Sequence, residues 1–378
     1  MKKISIAVAC LSAFAAASAH AQSSVTLYGL VDAGIAYTNN VGGSGRVALA
    51  SGNISGSRFG LKGAEDLGGG LKAIFLLENG FSVNNGQLGQ NSRMFGRQAY
   101  VGLSSNAFGT LTMGRQYDDV VDFVSPLSAT AGTFGDSGFA HPYDNDNLQH
   151  SVRFNNSVKY TSLNYGGFKF GGMYAFSNST EFAVSRAYSA AASYTYGPLT
   201  AAAGYLQTNG SGSKTGTAFT NTAGAVDQAE VKGSLTSDVQ RTAAAGINYA
   251  FGPAVVGFVY SHSQYQGTSA FGLSNGSVRF DNYEVNGMYN FTPAFKAGLS
   301  YTYTDGHLNG ATAYGADPKW NQVNAIARYS LSKRTEVYAE AMYQHATGNK
   351  NVANMYNSGG ASSTGNQVMG AVGMLTRF

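Results

Sequence analysis

Taking every second residue along this chain separates an oily set from a wet one, segment after segment. Val25, Leu27, Val31, Ala33, Ile35 and Tyr37 share one parity, against Ser24, Thr26, Asp32 and Thr38 on the other. Tyr283, Val285 and Tyr289 oppose Asn282, Glu284, Asn286 and Asn290, and Phe295, Ala297, Leu299, Tyr301 and Tyr303 oppose Lys296, Ser300, Thr302 and Thr304. Val337, Ala339, Ala341 and Tyr343 oppose Glu336, Glu340 and Gln344. A period of two with one apolar face predicts β-strands, and no amphipathic helix of useful length is visible.

The connectors alternate as well. Short turns are predicted at Gly68-Gly69-Gly70, Asn106-Ala107-Phe108, Gly166-Gly167, Gly197-Pro198, Gly252-Pro253, Thr292-Pro293 and Leu331-Ser332-Lys333. Between them stand longer stretches rich in Gly, Ser, Asn and Thr, notably 209–237 and 348–365. Tight turns at one rim and long loops at the other predict an all-β fold, a transmembrane antiparallel barrel of about 16 strands. A ring of that size encloses water rather than a side-chain core. Aromatics near strand ends, among them Tyr28, Tyr37, Tyr160, Tyr196, Tyr249, Phe251, Tyr260, Tyr289, Phe291 and Tyr329, fit two interfacial girdles.

Both ends of the chain carry information. The last segment, 367–378, alternates with Val372, Met374 and the terminal Phe378 on one parity, which marks Phe378 as the residue that closes and assembles a barrel in lipid. At the other end, Lys2 and Lys3 precede the apolar run 4–17, and Ala19-His20-Ala21 is a small-x-small cleavage pattern. Residues 1–21 are therefore expected to be a secretory signal peptide, with the barrel at 22–378. The only cysteine, Cys10, falls inside that leader; a lipoprotein signal is the competing use, but Ala7-Val8-Ala9 is a poor lipobox.

Charge and hydropathy narrow the function. The chain has 24 basic and 20 acidic residues, too even a balance for a nucleic-acid footprint, and a mean hydropathy of −0.13 excludes a bundle of membrane helices. Fifty glycines and only six prolines suit glycine-rich aromatic strands. Gly272-Leu273-Ser274-Asn275-Gly276 fits the G-x-S-x-G pattern of serine hydrolases but lies in a predicted loop without a strand-to-helix elbow. His141, His150, His262, His307 and His345 are scattered without metal spacing, so no metal or cofactor is expected.

One connector stands out. The stretch 117–150 carries Asp118, Asp119, Asp122, Asp136, Asp144 and Asp146 and no Lys or Arg, and its length marks a functional loop. The strands around it bear the opposite sign on their polar parity: Arg58, Lys62, Arg97, Arg153 and Lys159. Arg115 shares the parity of Leu111 and Met113 and so faces out, which predicts a protein interface or a rim position.

At SVTLYGLVDAGI, SRFGLKGAEDLGGGLKAIFLLENGF, GRQAYVGLSSNAFGTLTMGRQYD and the closing VGMLTRF, the chain resembles the trimeric general porins of Gram-negative outer membranes, in particular the β-proteobacterial branch. The likeness runs from Ser23 to Phe378 and is densest in the first third. It implies a homotrimer of 16-stranded barrels in outer-membrane lipid, each a passive channel for ions and small hydrophilic solutes, narrowed by a third long loop folded inward. It also implies that arginines matching Arg58, Arg97 and Arg153 form a basic ladder facing loop carboxylates, and that Arg115 and Gln98 lie near the subunit contact. Enteric members carry Pro-Glu-Phe-Gly-Gly at the loop tip, where this chain has Gly132-Thr133-Phe134-Gly135-Asp136. Thr133 in place of the acid is expected to tilt the pore toward anions, unless Asp119, Asp122 or Asp136 occupies the vacated place. Two alternatives stay open at this stage: a solute-specific channel and an outer-membrane barrel hydrolase.

Overall fold

The computed structural model describes residues 24–131, 134, 135, 137–210, 224–226, 235–310, 314 and 316–378. The expected leader, Thr133 and Asp136 lie outside the described residues. The strands are β1 (Ser24–Val41), β2 (Ser44–Ser51), β3 (Arg58–Gly68), β4 (Leu71–Gly80), β5 (Gln98–Ser105) and β6 (Gly109–Gln116). They continue as β7 (Phe154–Thr161), β8 (Phe168–Ala175), β9 (Ala187–Tyr196), β10 (Leu199–Asn209), β11 (Val239–Phe251) and β12 (Ala254–Thr268). The last are β13 (Gly276–Asn290), β14 (Phe295–Asn309), β15 (Lys319–Ser330), β16 (Thr335–Thr347) and β17 (Asn366–Arg377).

Each strand from β3 onward pairs antiparallel with its successor, and β17 returns to β1 from Leu30↔Arg377 to Thr38↔Met369. Phe378 completes the seam, because its N–H donates to Gly29 O and Gly29 N–H donates back to its carbonyl, both at 3.1 Å. The sheet therefore has no free edge, as a backbone in hydrocarbon requires.

β2 and β3 make one wall strand between them: β2 pairs with the upper half of β1 and β3 with the lower half. Counted so, the ring has 16 strands. The interruption at 52–57 is built around Asp32, whose carboxylate accepts the N–H groups of Ile54 and Ser55 at 3.0 and 2.8 Å and the Tyr338 hydroxyl at 2.7 Å. Gly52 makes the bend at φ +75°, where an added Cβ would press on Gly56. This short segment faces the lumen.

All seven expected short turns close β-hairpins at one rim. The opposite rim holds the connectors 81–97, 117–153, 176–186, 210–238, 269–275, 310–318 and 348–365. Its first connector is not long, since Gly42 and Gly43 alone turn β1 into β2.

Burial is the reverse of a water-soluble protein. Leu27 is 60% and Leu299 65% exposed, whereas Asp32 and Asn282 on the opposite parity are 0% exposed. Oily side chains look outward from the closed ring and polar ones look in. Tyr37, Tyr196, Tyr249, Phe251, Tyr289, Phe291 and Tyr329 lie exposed on the outer surface near strand ends. Tyr28 corrects the girdle expectation: it has the inward parity, and its hydroxyl donates to Glu78 at 2.8 Å.

Leu299→Arg places a charge on the lipid face and is expected to cost about 2–4 kcal/mol if it lies near the bilayer midplane. A urea titration of folding into phospholipid vesicles measures it; a loss within about 0.5 kcal/mol, normal for a water-exposed surface site, would contradict the outward assignment.

Candidate functional site

The segment 117–153 turns back into the barrel because its own sequence and the wall offer it partners there. Asp118 caps the helix Asp119–Phe123, accepting the N–H groups of Val120 and Val121 at 2.8 and 3.2 Å. The helix buries Val120 and Phe123, and after it Val124 and Leu127, against Met173, Ala191, Ala202 and Ala244 on the inner faces of β8 to β11. Gly171, Gly204, Gly246 and Gly298 leave the space. A Cβ there would meet Asp119 and Phe123, Val120, Leu127, and Phe134 respectively.

The segment's buried polar groups pair with the polar parity of the wall. Ala129 N–H donates to Glu284 at 2.8 Å, and Asn286 donates to the Leu127 carbonyl at 3.1 Å. Asn145 accepts from Ser263 and Asn282, at 2.5 and 2.9 Å. At the tip, Arg328 donates to the Phe134 carbonyl while forking onto Glu336, and Ser137 N–H reaches the Ile54 carbonyl of the 52–57 segment at 3.1 Å. Together these contacts lay the segment along β8–β15, while Lys159 on β7 holds its start through the Tyr117 carbonyl and Asp122.

The arginines stand at the starts of β3, β5 and β7, with Arg97 and Arg153 each 5% exposed. Arg97 donates to Glu78 at 2.7 Å and to the Tyr117 hydroxyl at 2.9 Å. Arg58 lies 3.7 Å from the same Glu78, and Arg153 reaches Tyr117 OH at 3.4 Å with its guanidinium 5.2 Å from the ring centroid. Three guanidiniums thus converge on one phenol and one carboxylate. His150 stacks on Tyr117 at 5.1 Å; burial, then the charges of Arg97, Arg153 and Arg58, push its pKa well below the ordinary value, so it adds no charge. A cavity of about 300 Å³ opens beside this cluster, lined by Arg97, Arg153, His150, Ser137, Gly56 and Tyr356 among others.

The acids behave differently from the expected carboxylate wall. Asp122 pairs with Lys159 at 2.6 Å, and Asp119 turns to the wall, accepting from the Ser189 hydroxyl at 2.5 Å. The acid that Arg58 and Arg97 pair with is Glu78. Burial pushes Asp118 up to about 6, and Asp119 and Asp144 to about 7. Their folded pKa values exceed the unfolded ones, so they favour folding less as pH rises from about 4 to 7.

Lys62 is exposed on the inner face, nearer the short turns, 5.4 Å over the Tyr28 ring and apart from the arginine group. Arg115 sits where β6 meets the long-loop rim. It donates to the Gly96 carbonyl at 2.8 Å and to Asn155 at 2.6 Å, so the rim position is the one it occupies. Gln98 opens β5 opposite Glu78. Reading the sequence alone missed Glu78, Tyr117, Arg328 and His141. Glu78 offered a signal, as the one acid ending the run Leu71–Gly80.

A family model described as Gram-negative porin matches residues 7–349. The chain belongs to the Gram-negative porin family. It is 31% identical to an outer membrane porin of Bordetella pertussis, over 91% of this chain and 94% of that one, and 31% identical to outer membrane porin protein 32 of Delftia acidovorans, over 91% and 89%. A solved anion-selective porin from Comamonas acidovorans superposes with a TM-score of 0.75 at 25% identity, covering 94% of this chain and all of that one. This porin is a passive channel of the Gram-negative outer membrane rather than an enzyme.

Gly298→Ala drives a methyl into the Phe134 ring and is expected to cost about 1–3 kcal/mol. Gly172→Ala, whose methyl meets nothing nearer than 3.8 Å, is the matched control and should stay within about 0.5 kcal/mol. Urea titration in vesicles separates the two; equal stability would mean that the loop tip is not seated on β14.

Proposed function

We propose that this porin prefers anions, with 117–153 as its constriction and Arg58, Arg97 and Arg153 as the wall that selects. The observation carrying this reading is one cluster in which Arg97 and Arg153 reach the Tyr117 hydroxyl while Arg58 and Arg97 share the Glu78 carboxylate. A guanidinium stays charged at every working pH, and inside a confined lumen its field is screened less than on an open surface. Anions are drawn along the arginine side, and the net sign of the narrow passage is positive. The likeness to a solved anion-selective porin supports the same sign.

Other parts of the reading follow the family. The channel assembles as a homotrimer in outer-membrane lipid, with Arg115 and Gln98 near the subunit contact. Lys62 serves as a lower step of the basic ladder. Thr133 removes an acid from the loop tip, while Asp119 and Asp122 are held by Ser189 and Lys159, and Asp136 is the acid nearest to Thr133 in sequence. Residues 1–21 act as the export signal.

Arg58→Gln and Arg97→Gln are each expected to lower the anion-to-cation permeability ratio, and Glu78→Gln to raise it. One elementary charge about 8 Å from a passing ion changes its energy by roughly 0.5 kcal/mol in water, with opposite signs for the two ions, so the ratio shifts roughly two- to fivefold per charge after salt screening. The zero-current potential in a KCl gradient reads this directly. Unchanged potentials in both arginine variants would remove the selective role.

A further inference from the structure

His141 is buried on the far side of the lumen from the arginines, with both ring nitrogens on carboxylates. Nδ1 lies 2.6 Å from Asp146 Oδ2 on the same segment, and Nε2 lies 3.1 Å from Glu284 Oε2 on β13. All three residues are 2% exposed or less.

The hydrogen-bond inventory decides the protonation state. Asp146 also accepts from Ser261 Oγ and from Leu148 N–H, and Glu284 also accepts from Ala129 N–H and from Asn286. Both carboxylates are thus engaged as acceptors on every side the structure records. A neutral imidazole has one N–H and can serve only one of them. The arrangement calls for two, which is the imidazolium.

We propose that His141, as an imidazolium bridging Asp146 and Glu284, is the positioning residue that fixes the returning arm of the 117–153 segment to the barrel wall. The contact is well placed for that task. It ties the stretch between the tip at Phe134 and the exit at Arg153 to β13, where Ala129 of the outgoing arm is also held, so one wall acid fastens both arms. Losing the cation leaves two buried carboxylates near each other without a charge between them, which favours release of the arm.

The charged groups on the ring are Asp146 from the segment and Glu284 from β13; behind Asp146 stand Asp144 and the Ser261 hydroxyl of β12, and the Tyr265 hydroxyl of β12 is held by the Asn145 carbonyl. Burial would lower the pKa of His141, but the two carboxylates overcome it and raise the group to about 10. The folded value exceeds the unfolded one near 6.5. The stabilisation is therefore complete below about pH 6.5 and is lost as pH rises toward 10.

The test reads the arm's position without relying on conduction, because the proposal shares the constriction reading only in its electrical consequence. Ala140 is 1% exposed and adjoins His141; it is changed to Cys in a chain with Cys10→Ser, and the refolded protein in vesicles is treated with a membrane-impermeant maleimide at pH 7.5. His141→Gln is expected to raise the labelling rate at least tenfold. Adding Glu284→Gln, which removes one of the two stranded carboxylates, is expected to bring it back toward the parent. Equal rates with and without His141→Gln overturn the proposal. Heat-dependent gel mobility shows whether each variant has folded. Should His141→Gln fail to fold, the parent channel decides: open-channel current noise that grows as pH passes about 10 supports the strut, and noise flat from pH 7 to 11 overturns it. A selective pore without the strut would keep its zero-current potential, so the two failures are told apart.

Discussion

A strand in hydrocarbon cannot leave its N–H and C=O groups unpaired, and that single constraint organises this molecule. It forces β17 back onto β1, so the sheet closes and has one outside and one inside. Closure then assigns every side chain by parity alone. Leu27, Leu299 and Val372 must face lipid, and Asp32, Asn282 and Gln344 must face the lumen. The Phe378 to Gly29 pair adds a rung to that ladder next to Leu30↔Arg377.

The same constraint shapes the interior. A 16-stranded ring leaves a wide aqueous space, and a segment entering it must have its backbone and polar side chains satisfied. Here the wall meets that demand on one side. Inward glycines and alanines on β8 to β11 receive the apolar faces of the helix and its continuation, while Glu284, Asn286, Ser263 and Arg328 take the polar groups. The arginines stand elsewhere in the lumen, at the starts of β3, β5 and β7. The segment's acids are spent largely on holding it in place: Asp118 on a helix cap, Asp119 on Ser189, Asp146 on His141.

Much of the fold was legible from alternation, because the lipid face tolerates few exceptions and six of the seven expected hairpin turns carry Gly, Pro or Asn. The strand faces, the short turns and the terminal aromatic could be read directly. Tyr28 was misjudged because an aromatic near a strand end has two uses, and only its parity with Thr26 and Asp32 told them apart. The break between β2 and β3 left no strong mark, since it depends on the Asp32 carboxylate gathering N–H groups from a segment more than twenty residues away. Within the site, Arg58, Arg97 and Arg153 could be named from charge and resemblance. Their partners could not, because Glu78 and Tyr117 acquire meaning only when distant strands are brought side by side. The acidic loop's composition showed six carboxylates but not their partners: Asp119 and Asp122 lie on a five-residue helix and meet Ser189 and Lys159.

The claim on which the account rests is that water and ions pass the arginine side of an otherwise filled lumen. The zero-current potential of the unmodified channel, recorded across a planar bilayer with a tenfold KCl gradient, tests it most directly. The account predicts discrete, ohmic current steps and a potential whose sign shows chloride passing more readily than potassium. A bilayer that stays silent, or a potential of the cation-selective sign, would contradict it.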